Sequence, residues 1–360
     1  MMMSFAQWGN ALYAGEKSYS VVPNRKKFVS IAAAVIVLGF VLAAVLGLNR
    51  SIEFTGGAQF DVTNVSDQSE TKAVQIVRES GFAESTKVTR VGTDGVRIQT
   101  EALESADAAA LRDALAQGYG ISEADVQSSS IGPSWGASVT AKAAQSLVIF
   151  FVLVAILMTI YFRSWQMAAA ALLALAHDIA VTVGVFAVLQ FEVSPATVIG
   201  FLTILGYSLY DTVVVFDKVR ELTTGVFDQK HFTFAEYVNL AVNQTLVRSI
   251  NTSVVALLPV GAILFIGLAT LGSGTLTDIS MALFIGMIAG TYSSIFIASP
   301  LLVLFKERSK QTIEHNELVC KARSGASPSN ESVQAVRVAP IKPGQRLNND
   351  HQPKRKKSHR

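Results

Sequence analysis

Cysteine is nearly missing from this chain: Cys320 is the single one in 360 residues. No internal disulfide can form, so any domain outside the membrane must hold together by packing alone. Charge is also scarce. Asp, Glu, Lys and Arg make up 16% of the residues, against about a quarter in ordinary soluble domains, which argues against a soluble enzyme. The five histidines are scattered, without the His/Cys spacing of a metal site. No phosphate-cradling loop and no nucleophile–base pair is present, so the chain reads as a non-enzyme with neither metal nor cofactor. A cleavable signal peptide is not expected either. The first apolar run is too long for one, and Gly47-Leu-Asn-Arg-Ser51 after it lacks a small-x-small cleavage site, so it reads as a retained anchor.

What is abundant is apolar sequence. Half the residues are hydrophobic and the mean hydropathy is +0.40, which places the chain among membrane proteins. Six runs are long enough to span a bilayer: Phe28–Leu48, Ala143–Phe162, Met167–Leu189, Pro195–Phe216, Ile250–Leu271 and Asp278–Phe305. Lys and Arg concentrate on one side of an alternating path. They stand before span 1 (Lys17, Arg25, Lys26, Lys27), between spans 2 and 3 (Arg163), between spans 4 and 5 (Lys218, Arg220, Lys230), and thirteen times from Lys306 to Arg360. By the positive-inside rule both termini are cytoplasmic. The expected division is an N-terminal segment 1–27, span 1 at 28–48, an outer domain at 49–142, a bundle of spans 2–6 at 143–305 with a cytoplasmic loop at 217–249, and a basic tail at 306–360. Rich in Pro, Ser and Asn, the tail reads as disordered and solvated. Its end, Lys354-Arg-Lys-Lys357, offers contact with anionic lipid or ribosomal surface as the other reading. The net charge of +3 adds an acidic outer domain to this tail and says nothing of nucleic acid.

The outer segment alternates strand and helix signals. Ala58–Val62 reads as a strand, Glu70–Ser80 as a helix, Lys87–Val91 and Val96–Thr100 as a hairpin around Gly92-Thr-Asp-Gly95, Ser105–Ala116 as a helix and Asp125–Ile131 as a strand. The order βαββαβ is the ferredoxin-like α+β pattern. Two junctions tie it to the spans: Ser51-Ile-Glu-Phe-Thr-Gly-Gly57 and Ile131-Gly-Pro-Ser-Trp-Gly136. Gly56, Gly57, Gly132, Pro133 and Gly136 make these read as hinges.

Few ionisable groups lie inside the spans, and each is costly there, by about 2.5–3.5 kcal/mol on insertion scales. Asp211, in an apolar run from Pro195 to Phe216, is the leading candidate for ion or proton handling; the plain reading is a carboxylate hydrated near a helix end. His177 and Asp178 sit mid-span, either as a structural polar contact or as part of proton transfer. Asp278 follows a short outer loop and reads as a helix N-cap. Arg248 opens span 5, level with Asp211 on the antiparallel neighbour, and is its natural partner unless it snorkels to water. Gln244, Arg248, Asn251 and Thr252 form a polar stripe on one helical face, while Thr233-Phe-Ala-Glu236 is a capping box ahead of the span. Ser208 is a further supporting polar group. Gly286, Gly290, Ser294 and Ala298 recur every four residues, a small-residue stripe for close helix contact, internal or with a partner.

Over residues 25–305 these motifs together resemble the SecF family of bacterial protein export. Glu53-Phe-Thr-Gly-Gly57 is similar to its D-F-x-G-G signature, with Glu for Asp. Gly132-Pro-x-x-Gly136 is similar to its V-G-P-x-x-G turn, and His177-Asp178 to its third-span H-D. Tyr207-Ser-Leu-Tyr-Asp-Thr-Val-Val-Val-Phe-Asp-Lys-Val-Arg-Glu221 is close to Y-S-x-x-D-T-x-V-x-F-D-R-x-R-E, with Tyr210 where many members carry Asn. Leu246-Val-Arg-Ser-Ile-Asn-Thr-Ser253 resembles the R-S-x-x-T-S opening of the fifth span. The resemblance implies a bundle like that of resistance-nodulation-division transporters. It implies pairing with SecD, association with the SecYEG channel with SecA and YidC nearby, and use of the proton motive force to draw preproteins outward. An Asp211/Arg248 proton site is implied as well. An intramembrane aspartyl protease is disfavoured, since no second Asp stands in a Gly-x-Gly-Asp context. A proton-coupled small-molecule exporter and a non-transporting translocon scaffold remain as rivals.

Overall fold

The computed structural model describes residues 5–81, 86–92, 94–271 and 274–325. A short amphipathic helix, α1 (Phe5–Tyr13), precedes α2 (Arg25–Leu46), the first span. A small sheet domain follows, from β1 (Asn49–Arg50), α3 (Ile52–Thr55), β2 (Gly57–Val62), α4 (Glu70–Ser80), β3 (Thr86–Val91), β4 (Gly95–Thr100) and α5 (Ser105–Tyr119) to β5 (Val126–Ile131). The remaining spans are α6 (Pro133–Phe162), α7 (Trp165–Leu189), α8 (Pro195–Thr223), α9 (Phe234–Ile266) and α10 (Thr275–Ser293), with β6 (Glu192–Val193) between α7 and α8. A π-helical turn, Ser294–Ala298, carries α10 into α11 (Ser299–Lys306), and α12 (Lys310–Gly325) closes the described chain. Among the described residues six helices are thus long and apolar enough to cross a membrane, as the runs predict.

Layering follows from which faces are apolar. Helices α2 and α6 bury little and leave Val37, Phe40, Val45, Leu153 and Ile160 exposed, as only a lipid environment tolerates. Helices α7, α8 and α10 form the interior. There α10 runs parallel to α8 with its small residues inward: a Cβ on Gly286 would collide with Ile204, and one on Gly290 would lie 2.9 Å from Ser208 Cβ. The stripe expected for close helix contact is therefore spent inside the bundle, on α8.

In the sheet domain the strand order is β3-β4-β2-β5, every pair antiparallel. Phe60 lies opposite Ile98 in the β2–β4 register, and both pack with Val77, Leu111 and Leu115 beneath α4 and α5. The other face carries Gln59, Asp61, Arg97 and Gln99, whose side chains bond to one another. Of the expected hairpin turn, Thr93 lies outside the described residues.

Two expectations need correction, and the junctions gain detail. The junctions are closely packed: Gly56 and Gly57 have φ of 75° and 141°, and added Cβ atoms would lie 2.8 Å from Pro133 Cα and 2.5 Å from the Thr100 carbonyl. Gly136 approaches the Phe54 carbonyl equally closely, so the two junctions grip each other; around Gly132 there is open space. Asp278 is not a cap residue. Gly274 holds that position, and Asp278 in the first turn of α10 accepts from Ser194 Oγ at 3.0 Å. The tail, expected to be disordered from 306, begins with α11's last residue and α12, which buries Thr312, His315 and Val319. Residues 326–360, with the polybasic end, lie outside the described residues.

The N-terminal segment is also more than a lead-in. Asn239 Oδ1 accepts from the backbone N–H groups of Val21 and Val22, both at 3.1 Å. One turn on, Asn243 meets Tyr19 twice, accepting from its N–H at 2.6 Å and donating to its carbonyl at 3.0 Å. Residues 18–22 are strapped to α9 by these two side chains, with Leu12 buried beside them.

Candidate functional site

The site forms where α7, α8, α9 and the π-helical turn after α10 meet. Helix α8 starts at a capping box, in which Ser194 Oγ accepts from Thr197 N–H while Thr197 Oγ1 accepts from Ser194 N–H, with Pro195 at the first helical position. Sixteen residues later, about 24 Å along the axis, Asp211 points into the bundle and is 4% exposed. Ser249 Oγ of α9 donates to its Oδ1 at 2.7 Å, and Ser294 Oγ donates to Oδ2 at 2.5 Å. Ser294 is the first residue of the π-helical turn. Such a turn adds one residue to the helical repeat and re-aims side chains, and it recurs at functional sites.

A second buried carboxylate lies one turn away. Ser208, three residues before Asp211 on α8, donates to Asp178 Oδ2 at 2.5 Å. His177 Nδ1 lies 3.3 Å from Oδ1 of the same carboxylate, and both residues are almost wholly buried. Thr182 donates to the Asp178 backbone carbonyl rather than to the carboxylate. The polar seam continues through Tyr207, which donates to Ser253, and Thr291, which donates to the same hydroxyl at 2.6 Å. Four helices thus share a line of hydroxyls and two carboxylates inside an otherwise apolar bundle.

Arg248 is not where its expected role puts it. It is exposed, and among the described residues it forms no ion pair. The reason is helical geometry. Successive residues turn by about 100°, so with Ser249 facing Asp211 its predecessor faces away. Arg248 instead lines a cleft of about 780 Å³ with Tyr13, Lys218, Gln244, Asn251 and Thr252. The polar stripe is real, but α1 and the end of α8 border it, and Asp211 does not. Tyr210, next to Asp211, is exposed on the outside of α8.

Chemically, this arrangement suits a carboxylate that keeps hydrogen-bond partners in either protonation state. A hydroxyl donates to a carboxylate and can equally accept from a carboxylic acid, so Ser249 and Ser294 serve both forms. Ser294 Oγ also lies 3.1 Å from the Thr291 carbonyl. Its single proton therefore has a second acceptor when Asp211 no longer needs it. Sequence reasoning missed Ser249 and counted Ser294 as a packing residue. The signal available was position: Ser249 follows Arg248, and Ser294 falls in the small-residue stripe.

The chain's residues 112–308 match the family described as "Protein export membrane protein SecD/SecF, C-terminal". It is 42% identical over 335 residues to the protein translocase subunit SecF of Streptomyces coelicolor, covering 93% of this chain and 89% of that protein. With the same subunit of Mycobacterium tuberculosis H37Rv it shares 40% over 328 residues, covering 88% and 74%. Among solved structures it is similar to SecDF of Thermus thermophilus, titled a translocon-associated membrane protein. The TM-score is 0.72 at 30% identity, over 82% of this chain and 39% of that one.

Proposed function

This chain belongs to the SecF family of protein translocase subunits, and from that premise we propose that it works with SecD to promote preprotein translocation through SecYEG, driven by the proton motive force. The observation that carries the reading is Asp211, a carboxylate buried at membrane depth, held by two hydroxyls and, among the described residues, by no cation. A proton descending the gradient supplies about 2.3 kcal/mol per 100 mV of membrane potential, comparable with the cost of rearranging a few buried hydrogen bonds. Protonated, Asp211 leaves Ser294 free to turn to the Thr291 carbonyl. Ionised, it draws both hydroxyls, and a rotation of α9 by about 100°, one residue's worth, would bring Arg248 round in place of Ser249. The pair implied by the resemblance thus belongs to another state of the cycle. His177, Asp178 and Ser208 extend the polar seam, while Asn251 and Thr252 line the cleft from which Arg248 would come.

The remaining parts fit this reading. The length of the Thermus SecDF chain, of which this chain spans about two-fifths, supports SecD as the partner supplying the rest. The Lys/Arg distribution supports cytoplasmic termini, which puts the sheet domain outside. Strand order and two helices on one face support the ferredoxin-like assignment. The proposed role is non-enzymatic, since loading a proton on and off Asp211 makes and breaks no bond in a substrate.

The test is Asp211→Asn in membrane vesicles carrying the full complex. It should remove the part of preprotein export that depends on the proton gradient while insertion and SecD co-purification persist. Wild-type gradient stimulation at equal protein level would refute the reading and leave a passive scaffold. Loss of drug efflux with export intact would point to a small-molecule exporter.

A further inference from the structure

Beside its first covalent junction the sheet domain also touches the bundle through side chains, the buried Gln99 and the part-buried Arg97 meeting Glu192. Glu192 lies in β6, between α7 and α8. Gln99 Nε2 donates to its Oε1 at 2.7 Å and Arg97 Nη1 to its Oε2 at 3.4 Å. Arg97 Nε also donates to Asp61 Oδ1 at 2.6 Å, and Gln99 to Gln59. Arg97 and Gln99 are two apart on β4, so both project from the sheet face opposite the helices, where they serve no apolar core. Burial works against the Arg97 cation, yet the Asp61 bond and the charges of Asp61, Glu192 and Asp278 more than offset it, so its pKa lies above the ordinary value.

Glu192 is fastened through its backbone as well, to the junction strand on one side and to the bundle on the other. Its strand pairs in parallel with β1, and Ser51 N–H donates to the Val193 carbonyl at 3.0 Å. Thr197 Oγ1 of α8's first turn donates to the Glu192 carbonyl at 3.2 Å, and Ser194, which caps α8, donates to Asp278 at the start of α10. Asp211 lies on the same unbroken α8, seventeen residues beyond Ser194. The glycine junctions, by contrast, meet backbone to backbone at Gly56, Gly57 and Gly136.

We propose that Arg97 and Gln99, gripping Glu192, form the coupling element that carries movement of α8 to the sheet domain. They are positioning residues, remote from the proton site, and the proposal rests on the reading of Asp211 given above. The junctions hold the domain on; the Glu192 contact makes it follow. Removing Glu192 leaves Arg97 with Asp61 alone, and removing Arg97 leaves Glu192 with Gln99, so either change opens the charged contact and the two should behave as a unit.

The test is a double-mutant cycle of Arg97→Gln, Glu192→Gln and their combination in vesicles carrying the full complex, with Asp211→Asn alongside. Each single change should lower the gradient-dependent part of preprotein export roughly tenfold, the size of an ordinary coupling between sites. Gradient-independent export and SecD co-purification should be unchanged, and the double variant should be no worse than the poorer single one. Undiminished export in both singles, losses that multiply in the double, or an equal fall in gradient-independent export would each overturn the proposal. If Asp211→Asn abolishes gradient stimulation while the Arg97 and Glu192 variants keep it, only the coupling proposal falls. Should Asp211→Asn keep it, the proton-site reading falls.

Discussion

At the residue scale, Asp211 was legible because a carboxylate in an apolar run has no cheap explanation, and its burial agrees. Its partners were not legible. Serine costs little in a span and carries no charge to flag it, whereas the neighbouring Arg248 commands attention and faces the wrong way in this state. The two hydroxyls make a prediction that the arginine pairing would not. A hydrogen bond to a charged group is worth about 1.5–3 kcal/mol, so Ser249→Ala and Ser294→Ala should each slow gradient-driven export by at least roughly tenfold, since about 1.4 kcal/mol corresponds to that factor. The combined variant should approach Asp211→Asn. Rates within twofold of wild type in both single variants, measured at equal insertion, would mean that Asp211 works through other partners.

At the level of elements, the pattern of apolar runs located every span, and Thr233–Glu236 marked the start of α9. There the Thr233 N–H donates to Glu236 Oε2 at 2.7 Å while the Glu236 N–H donates to Thr233 Oγ1. Two things resisted reading. One was the length of α9, a single helix from Phe234 to Ile266 despite Pro259; membrane helices tolerate proline because neighbours re-satisfy the freed carbonyl. The other was the π-helical turn at Ser294, since an extra residue in a turn leaves no composition signature. The parallel α8–α10 seam sets up a direct test. Gly290→Ala places a methyl 2.9 Å from Ser208 Cβ, at the residue that holds Asp178. Overpacking of this sort costs about 1–3 kcal/mol. Thermal unfolding in detergent should fall measurably, whereas Gly206→Ala, with nothing within 4 Å, should leave it in place. Equal midpoints for the two variants would mean that α8 and α10 do not pack this closely.

For the whole molecule, both ends of the described chain fold back on the end of the bundle away from the sheet domain. The sequence hid this for a physical reason: α1 and α12 are short, and their few apolar residues make no run. On one side Asn239 and Asn243 strap residues 18–22 to α9. On the other, α12 seals the loop that leads into α9. His315 Nε2 lies 3.1 Å from the Phe232 carbonyl, its ring stands edge-on to Phe227, and Val319 is fully buried. Arg323 donates to both oxygens of Glu236, the carboxylate of the α9 capping box. Deleting residues 326–360 removes none of this, and export and stability should not change. Ending the chain after Ser309 strips the cover from residues 226–236 and takes a charged partner from the cap. Burying one valine is worth about 1.5–3 kcal/mol and an exposed ion pair such as Arg323–Glu236 at most about 1 kcal/mol, so the shorter chain should unfold several degrees lower. Limited proteolysis separates the cases: the loop between α8 and α9 should resist cleavage in the chain ending at Gly325 and be cut in the chain ending at Ser309. The same resistance in both would show that α12 rests on the bundle without stabilising it.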